Sequence, residues 1–166
     1  MQFEQVFASA IEVAIATAGF SGIVVILGQR GEGSWSQIDL GRVSLLLQSS
    51  FLAMALSFLP LVLHGAGVPE ATIWRTGSAF FIAYSGLVIP LRYRTIKRIQ
   101  SGDPTYRLRL FFTVLPMALL LMCLQAYNIF FLGSGWPFVL VVLFEIAIAV
   151  LAFVRLLQTL WERSSH

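Results

Sequence analysis

The chain has 166 residues, of which 58% are apolar and 11% charged, with a net charge of +3 and 14 Phe. A soluble domain carries about 25% charged residues. A water-soluble fold of this size cannot hide so much apolar surface, so the excess must face lipid or other membrane helices.

The mean hydropathy of +0.84 agrees, and the basic balance reads as topology charge and anionic-lipid contact, not as a nucleic-acid surface. Five apolar stretches fill most of the chain. The first covers about 6–28 and is closed by Gly28 and Gly31. Ahead of it, Met1 to Gln5 carries Glu4 and no Lys or Arg, so the basic start of a cleavable signal peptide is missing. A polar loop follows through Arg42, in which Ser36 and Asp39 have capping-box spacing, so helix is expected to begin before the second apolar run.

The second span covers about 43–63, with Pro60 near its far end, and stops at a Gly65-Ala66-Gly67-Val68-Pro69 turn. Pro69 suits a first helical turn and Glu70 the positive end of the helix dipole. The third covers about 71–91, and Pro90 is expected to bend its end. Beyond it, Arg92 to Ile99 reads as a short separate amphipathic helix, stopped by Gly102. Asp103-Pro104 then opens the fourth span, about 106–131, as N-cap and first-turn residue. A second tight turn, Gly133-Ser134-Gly135-Trp136-Pro137, leads into the fifth span, about 137–161.

Each run has roughly 20 or more residues, which matches a hydrocarbon core of ~30 Å at a rise of 1.5 Å per residue. The runs are continuous, not alternating, which excludes barrel strands. The expected fold is all-α: one polytopic membrane domain over 1–166 with five transmembrane helices.

The basic residues orient it. Arg30, Arg42, Arg92, Arg94, Lys97, Arg98, Arg107, Arg109, Arg155 and Arg163 fall on one side and only Arg75 on the other. The positive-inside rule then puts the N-terminus outside and the C-terminus in the cytoplasm, as expected for a bacterial inner (plasma) membrane protein. Trp74 and Trp136 are expected at the outer interface, and Trp35 and Trp161 at the inner one.

The polar residues inside the spans are the candidate site. Counted inward from the outer span ends, Glu12 lies ~9 Å deep, Arg75 ~6 Å, Glu145 ~12 Å, Gln125 ~9 Å and Asn128 ~5 Å. A charge at the bilayer centre costs about 2.5–3.5 kcal/mol on insertion scales, so such groups are expected to turn inward and meet. The reading is that Arg75 pairs with Glu145, Glu12 or both, and that Gln125 and Asn128 complete the network. The competing reading has Arg75 snorkelling to headgroups and the carboxyls locking helix packing.

In the inner half lie Gln48, Ser49 and Ser50, with Thr17, Ser21 and Thr113. The Ser and Thr hydroxyls are expected to bond their own helix backbone, leaving Gln48 as the candidate for a polar path. Ala10, Ala14, Ala18 and Gly22 form a small ridge on the first span, with Glu12, Ala16 and Gly19 on the opposite face. Both suit close helix approach.

No catalytic or metal motif is present. His64 and His166 sit at segment ends, and HExxH, GxSxG, CxxC and phosphate-loop patterns are missing, so neither an enzyme nor a metal or cofactor site is expected. Arg92, Arg94, Lys97, Arg98, Arg107 and Arg109 are the candidate contacts for anionic lipid. The leading expectation is a homo-oligomer that conducts an ion or proton through Glu12 and Glu145, with Arg75 as tuning or gating charge. The alternative is a non-catalytic accessory or scaffold subunit of a larger membrane complex.

Overall fold

A computed structural model describes residues 3–30, 37–99 and 104–164, with side chains described for 3–26, 39–91, 115–159 and 161. Within these residues the chain is all-helical: α1 (Glu4–Arg30), α2 (Gln37–Gly65), α3 (Glu70–Ile99), α4 (Pro104–Tyr127) and α5 (Gly135–Ser164). A single π-turn, Asn128–Leu132, closes α4. Four stretches are long and apolar enough to cross a membrane: Glu4–Ile26, Asp39–Gly65, Leu115–Leu132 and Gly135–Thr159. The chain therefore reads as a multi-pass membrane protein. α3 is not among the four; its described part carries Arg75, Ser78, Tyr84 and Ser85 among its apolar residues.

The helices outrun the spans read from hydropathy. α1 continues past Gly28 to Arg30, and α2 starts at Gln37, within the segment marked by the capping pattern. Pro90 does not end α3, which runs unbroken to Ile99. The expected separate amphipathic helix is instead the far end of this 30-residue helix.

Two compact units emerge: Met1–Leu61 with Val139–His166, and Val62–Phe138. In the first, each helix buries a stripe at steps of three and four residues. On α1 the stripe is Phe7, Ala10, Ala14, Thr17, Ser21 and Val24; on α2 it is Leu46, Ser49, Ser50, Ala53, Leu56 and Ser57. On α5 it is Val141, Val142, Glu145, Ala149, Ala152 and Leu156. Phe20 and Phe153 meet with ring centroids 6.3 Å apart, linking α1 to α5. Arg42 links α2 to α5: its Nη1 donates to Asp39 Oδ1 at 3.2 Å and to Thr159 Oγ1 at 2.6 Å.

The second unit holds α3 packed along α4 and the π-turn. It opens on the turn after α2, where the Gly67 N–H bonds His64 O at 2.9 Å and the Val68 N–H bonds Leu63 O at 3.0 Å. This is a Schellman cap with Gly67 at φ +76°, a left-handed conformation that glycine adopts without a Cβ clash. Pro69 then accepts the first helical bonds of α3, from Thr72 N at 2.9 Å and Ile73 N at 3.1 Å.

Polar side chains share the interior with the apolar core, and large apolar ones lie outside. The buried set includes Thr17, Ser49, Ser50, Ser57, Ser78, Ser85, Gln125, Asn128 and Glu145, while Phe20, Phe51, Val62, Leu87, Leu120, Phe130, Phe131 and Leu151 are exposed. Water would penalise that arrangement. Lipid favours it, because small and polar side chains are what membrane helices turn toward one another.

Candidate functional site

The most complete polar cluster lies in the second unit, where α4 reverses into α5. Gln125 and Asn128 are three residues apart, which puts them on one helical face. Both are fully buried, as is Ser78 of α3. Asn128 Nδ2 donates to Ser78 Oγ at 3.0 Å, and Ser78 Oγ donates to Gln125 Oε1 at 2.7 Å. Gln125 Nε2 in turn donates to the Pro137 carbonyl in the first turn of α5 at 2.7 Å. The Asn128 amide also grips Ser134 at both backbone atoms: Nδ2 donates to its carbonyl at 3.0 Å, and Oδ1 accepts from its N–H at 3.0 Å.

Local chain geometry makes this possible. The Gly133 N–H bonds Asn128 O at 2.8 Å, closing the π-turn, and Gly133 takes φ +57°. Ser134 follows directly and α5 begins at Gly135, so the reversal needs only two residues outside helix. α3 approaches closely because of Gly77. A Cβ there would lie 2.7 Å from Cε2 of Phe138, so glycine admits the buried Phe138 ring. Trp74 packs on the same ring at 6.1 Å between centroids.

Every side chain in the cluster is neutral. Its amides satisfy backbone groups of Ser134 and Pro137 at the turn.

The ionisable candidates are distributed differently. Glu145 is buried in α5 at 8% exposure, within the first unit. Glu12 of α1 is exposed. Arg75 of α3 is exposed, and its Nε lies 3.4 Å from the position a Cβ on Gly133 would take, so the guanidinium stem flanks the α4–α5 turn. Gln48 is exposed beside the buried Ser49 and Ser50. Ser50 Oγ has no hydrogen-bond partner among the described residues. Thr17 and Ser21 bond their own helix, to Val13 O at 2.7 Å and Ala18 O at 2.6 Å, as the sequence leads one to expect. Arg92, Arg94, Lys97 and Arg98 sit in the last turns of α3, and Arg107 and Arg109 in the first turns of α4. Their side chains and that of Thr113 are not among those described, and Trp35 lies outside the described residues.

Two features escape a reading of composition and depth. Ser78 is the hub of the cluster, yet a lone serine in an apolar run gives no signal on its own. Gly77, Ser78 and Ser85 together do mark a small, polar face at helical spacing. Trp74 is 3% exposed, so its ring faces the protein interior. Trp136 and Trp161 are exposed, at 49% and 79%. Comparison with known protein families, curated proteins and solved structures finds no match.

Proposed function

We propose that this chain is a five-span inner-membrane protein, N-terminus outside, that assembles from copies of itself and passes an ion or proton. Glu145 and Glu12 bind or relay the cation, and Arg75, in the same outer half of the bilayer, tunes them or gates the path. The carrying observation is Glu145: a carboxyl group buried on a 30-residue helix, in a stretch rich in Val, Leu, Ile, Phe and Ala. An ionisable group inside a membrane span is costly to insert and marks an ion or proton pathway by default.

The crossing of α3 belongs to this proposal. At 1.5 Å per residue its 30 residues reach ~45 Å, more than a hydrocarbon core, and an odd number of crossings is what places the basic residues on one side.

The test is flux into proteoliposomes with a pH-sensitive dye or an ion-selective readout. Glu145→Gln and Glu12→Gln are expected to lower flux while leaving helicity and extraction behaviour intact. If both variants conduct like the wild type, the relay is wrong.

One observation favours a second reading, an accessory subunit of a larger membrane complex. The side chains of Gln125, Asn128 and Ser78 spend their hydrogen bonds on one another and on the α4–α5 turn, which supports a structural role for them. Gentle detergent extraction separates the two readings, since co-purification with one larger, different protein favours the accessory role.

A further inference from the structure

Two exposed helix faces of this chain complement each other. On α1, Glu12 is exposed and is followed inward at helical spacing by Ala16 and Gly19, both exposed. On α3, Arg75 is exposed and is followed by Ala79, Ala83 and Gly86, all exposed. Each face thus carries one charge and then, four residues on, a line of small residues. The charges are opposite, and both lie in the outer part of the bilayer, ~9 Å and ~6 Å below the surface by residue count.

Nothing among the described residues explains the glycines. A Cβ built on Gly19, Gly22 or Gly86 meets nothing within 4 Å. Glycine in a helix interior costs about 1 kcal/mol relative to alanine, so an open-space glycine here gains nothing from its own fold. Membrane helices place small residues where another backbone comes close. A charge left facing acyl chains is equally costly, and an opposite charge on the approaching helix removes much of that cost.

We propose that a second copy of this chain docks on these faces, Glu12 of one copy pairing with Arg75 of the other. The Ala16 and Gly19 surface of α1 lies along Ala79, Ala83 and Gly86 of the neighbouring α3. The occupant is a second copy because the chain supplies both halves of the match. In the five-span order α1 and α3 both run inward from the outside, so the two lines stay in step along their length. The inference rests on the membrane and self-assembly part of the proposed function and specifies its interface.

Differently tagged chains, co-expressed and captured through one tag, test it. Wild-type copies are expected to capture each other. Glu12→Arg copies alone, and Arg75→Glu copies alone, place like charges together and should lose capture by about tenfold or more. Mixing the two variants restores both contacts between unlike copies, so capture should return only in the mixture. A pair formed inside one chain cannot be rescued this way. Mixed capture no better than either variant alone overturns the proposal.

Should a charge reversal fail to insert, cysteines replace it on a Cys123→Ser background. Ala16→Cys in one copy and Ala79→Cys in the other should form a disulfide, whereas paired Leu151→Cys copies, exposed on α5, should not. Linkage at 151 with none between 16 and 79 overturns the proposal, as does a complex containing one copy and a different, larger protein. For the wild type, capture without flux counts against conduction alone, and flux without capture counts against this interface alone.

Discussion

Asn128 does the work of a peptide group. Its side-chain amide presents one acceptor and two donors to Ser134 and Ser78 where helical hydrogen bonding has run out. Asn128→Ala leaves the part-buried Ser134 N–H without its acceptor and is expected to destabilise the protein by about 2 kcal/mol. Ser78→Ala should cost about 1 kcal/mol, and the double variant less than the sum, since both act through shared bonds. Denaturation followed by circular dichroism in a mixed-micelle titration measures this, and strict additivity would show that the hydrogen bonds do not act as one network. Gly77→Ala forces a methyl to within 2.7 Å of the Phe138 ring. It should cost about 1–3 kcal/mol as overpacking, and Phe138→Leu should recover part of the loss. The charged and amide residues were legible as candidates from depth along each span. Their partners were not, because Ser78 lies 47 residues from Gln125 and 50 from Asn128 in sequence.

Between helices, turn chemistry is the readable signal, and it reads accurately at the α2–α3 turn, whereas α5 already begins at Gly135 within the second expected turn. The Gly-Ala-Gly-Val-Pro segment is a Schellman cap followed by a helix start, as its composition indicates. Within it the two glycines have separate meanings. Gly67 holds φ +76°, and Gly67→Ala is expected to cost about 1 kcal/mol or more. Gly65 is helical and open, so Gly65→Ala should be neutral or slightly stabilising. Equal effects at the two sites would show that the left-handed conformation is not what sets the turn. Proline is less informative: α2, α3 and α4 continue through Pro60, Pro90 and Pro116. A long membrane helix keeps its remaining hydrogen bonds because lipid offers no replacement for them.

For the molecule as a whole, the proposed topology makes a sharp claim about α3. With Cys123→Ser as background, a membrane-impermeant maleimide should label Ala66→Cys only from outside and Ser101→Cys only from the cytoplasmic side. Labelling of both from one side would remove the fifth crossing and, with it, the parallel course of α1 and α3. The composition carries the membrane assignment and the one-sided basic residues carry the proposed orientation, since hydrophobic length and Lys/Arg placement act locally during insertion.

The order of helices, their turns and the lipid environment follow from the sequence alone, because each depends on residues close together in the chain. Which face of each helix is buried does not. In lipid the outward face is as apolar as the inward one, so the contrast that marks a soluble helix is missing. Only the tertiary structure decides that Trp74 turns inward onto Phe138 through the space left by Gly77. It alone joins Ser78 to Gln125 and Asn128, because those contacts require α3 and α4 to approach through small residues at one shared level.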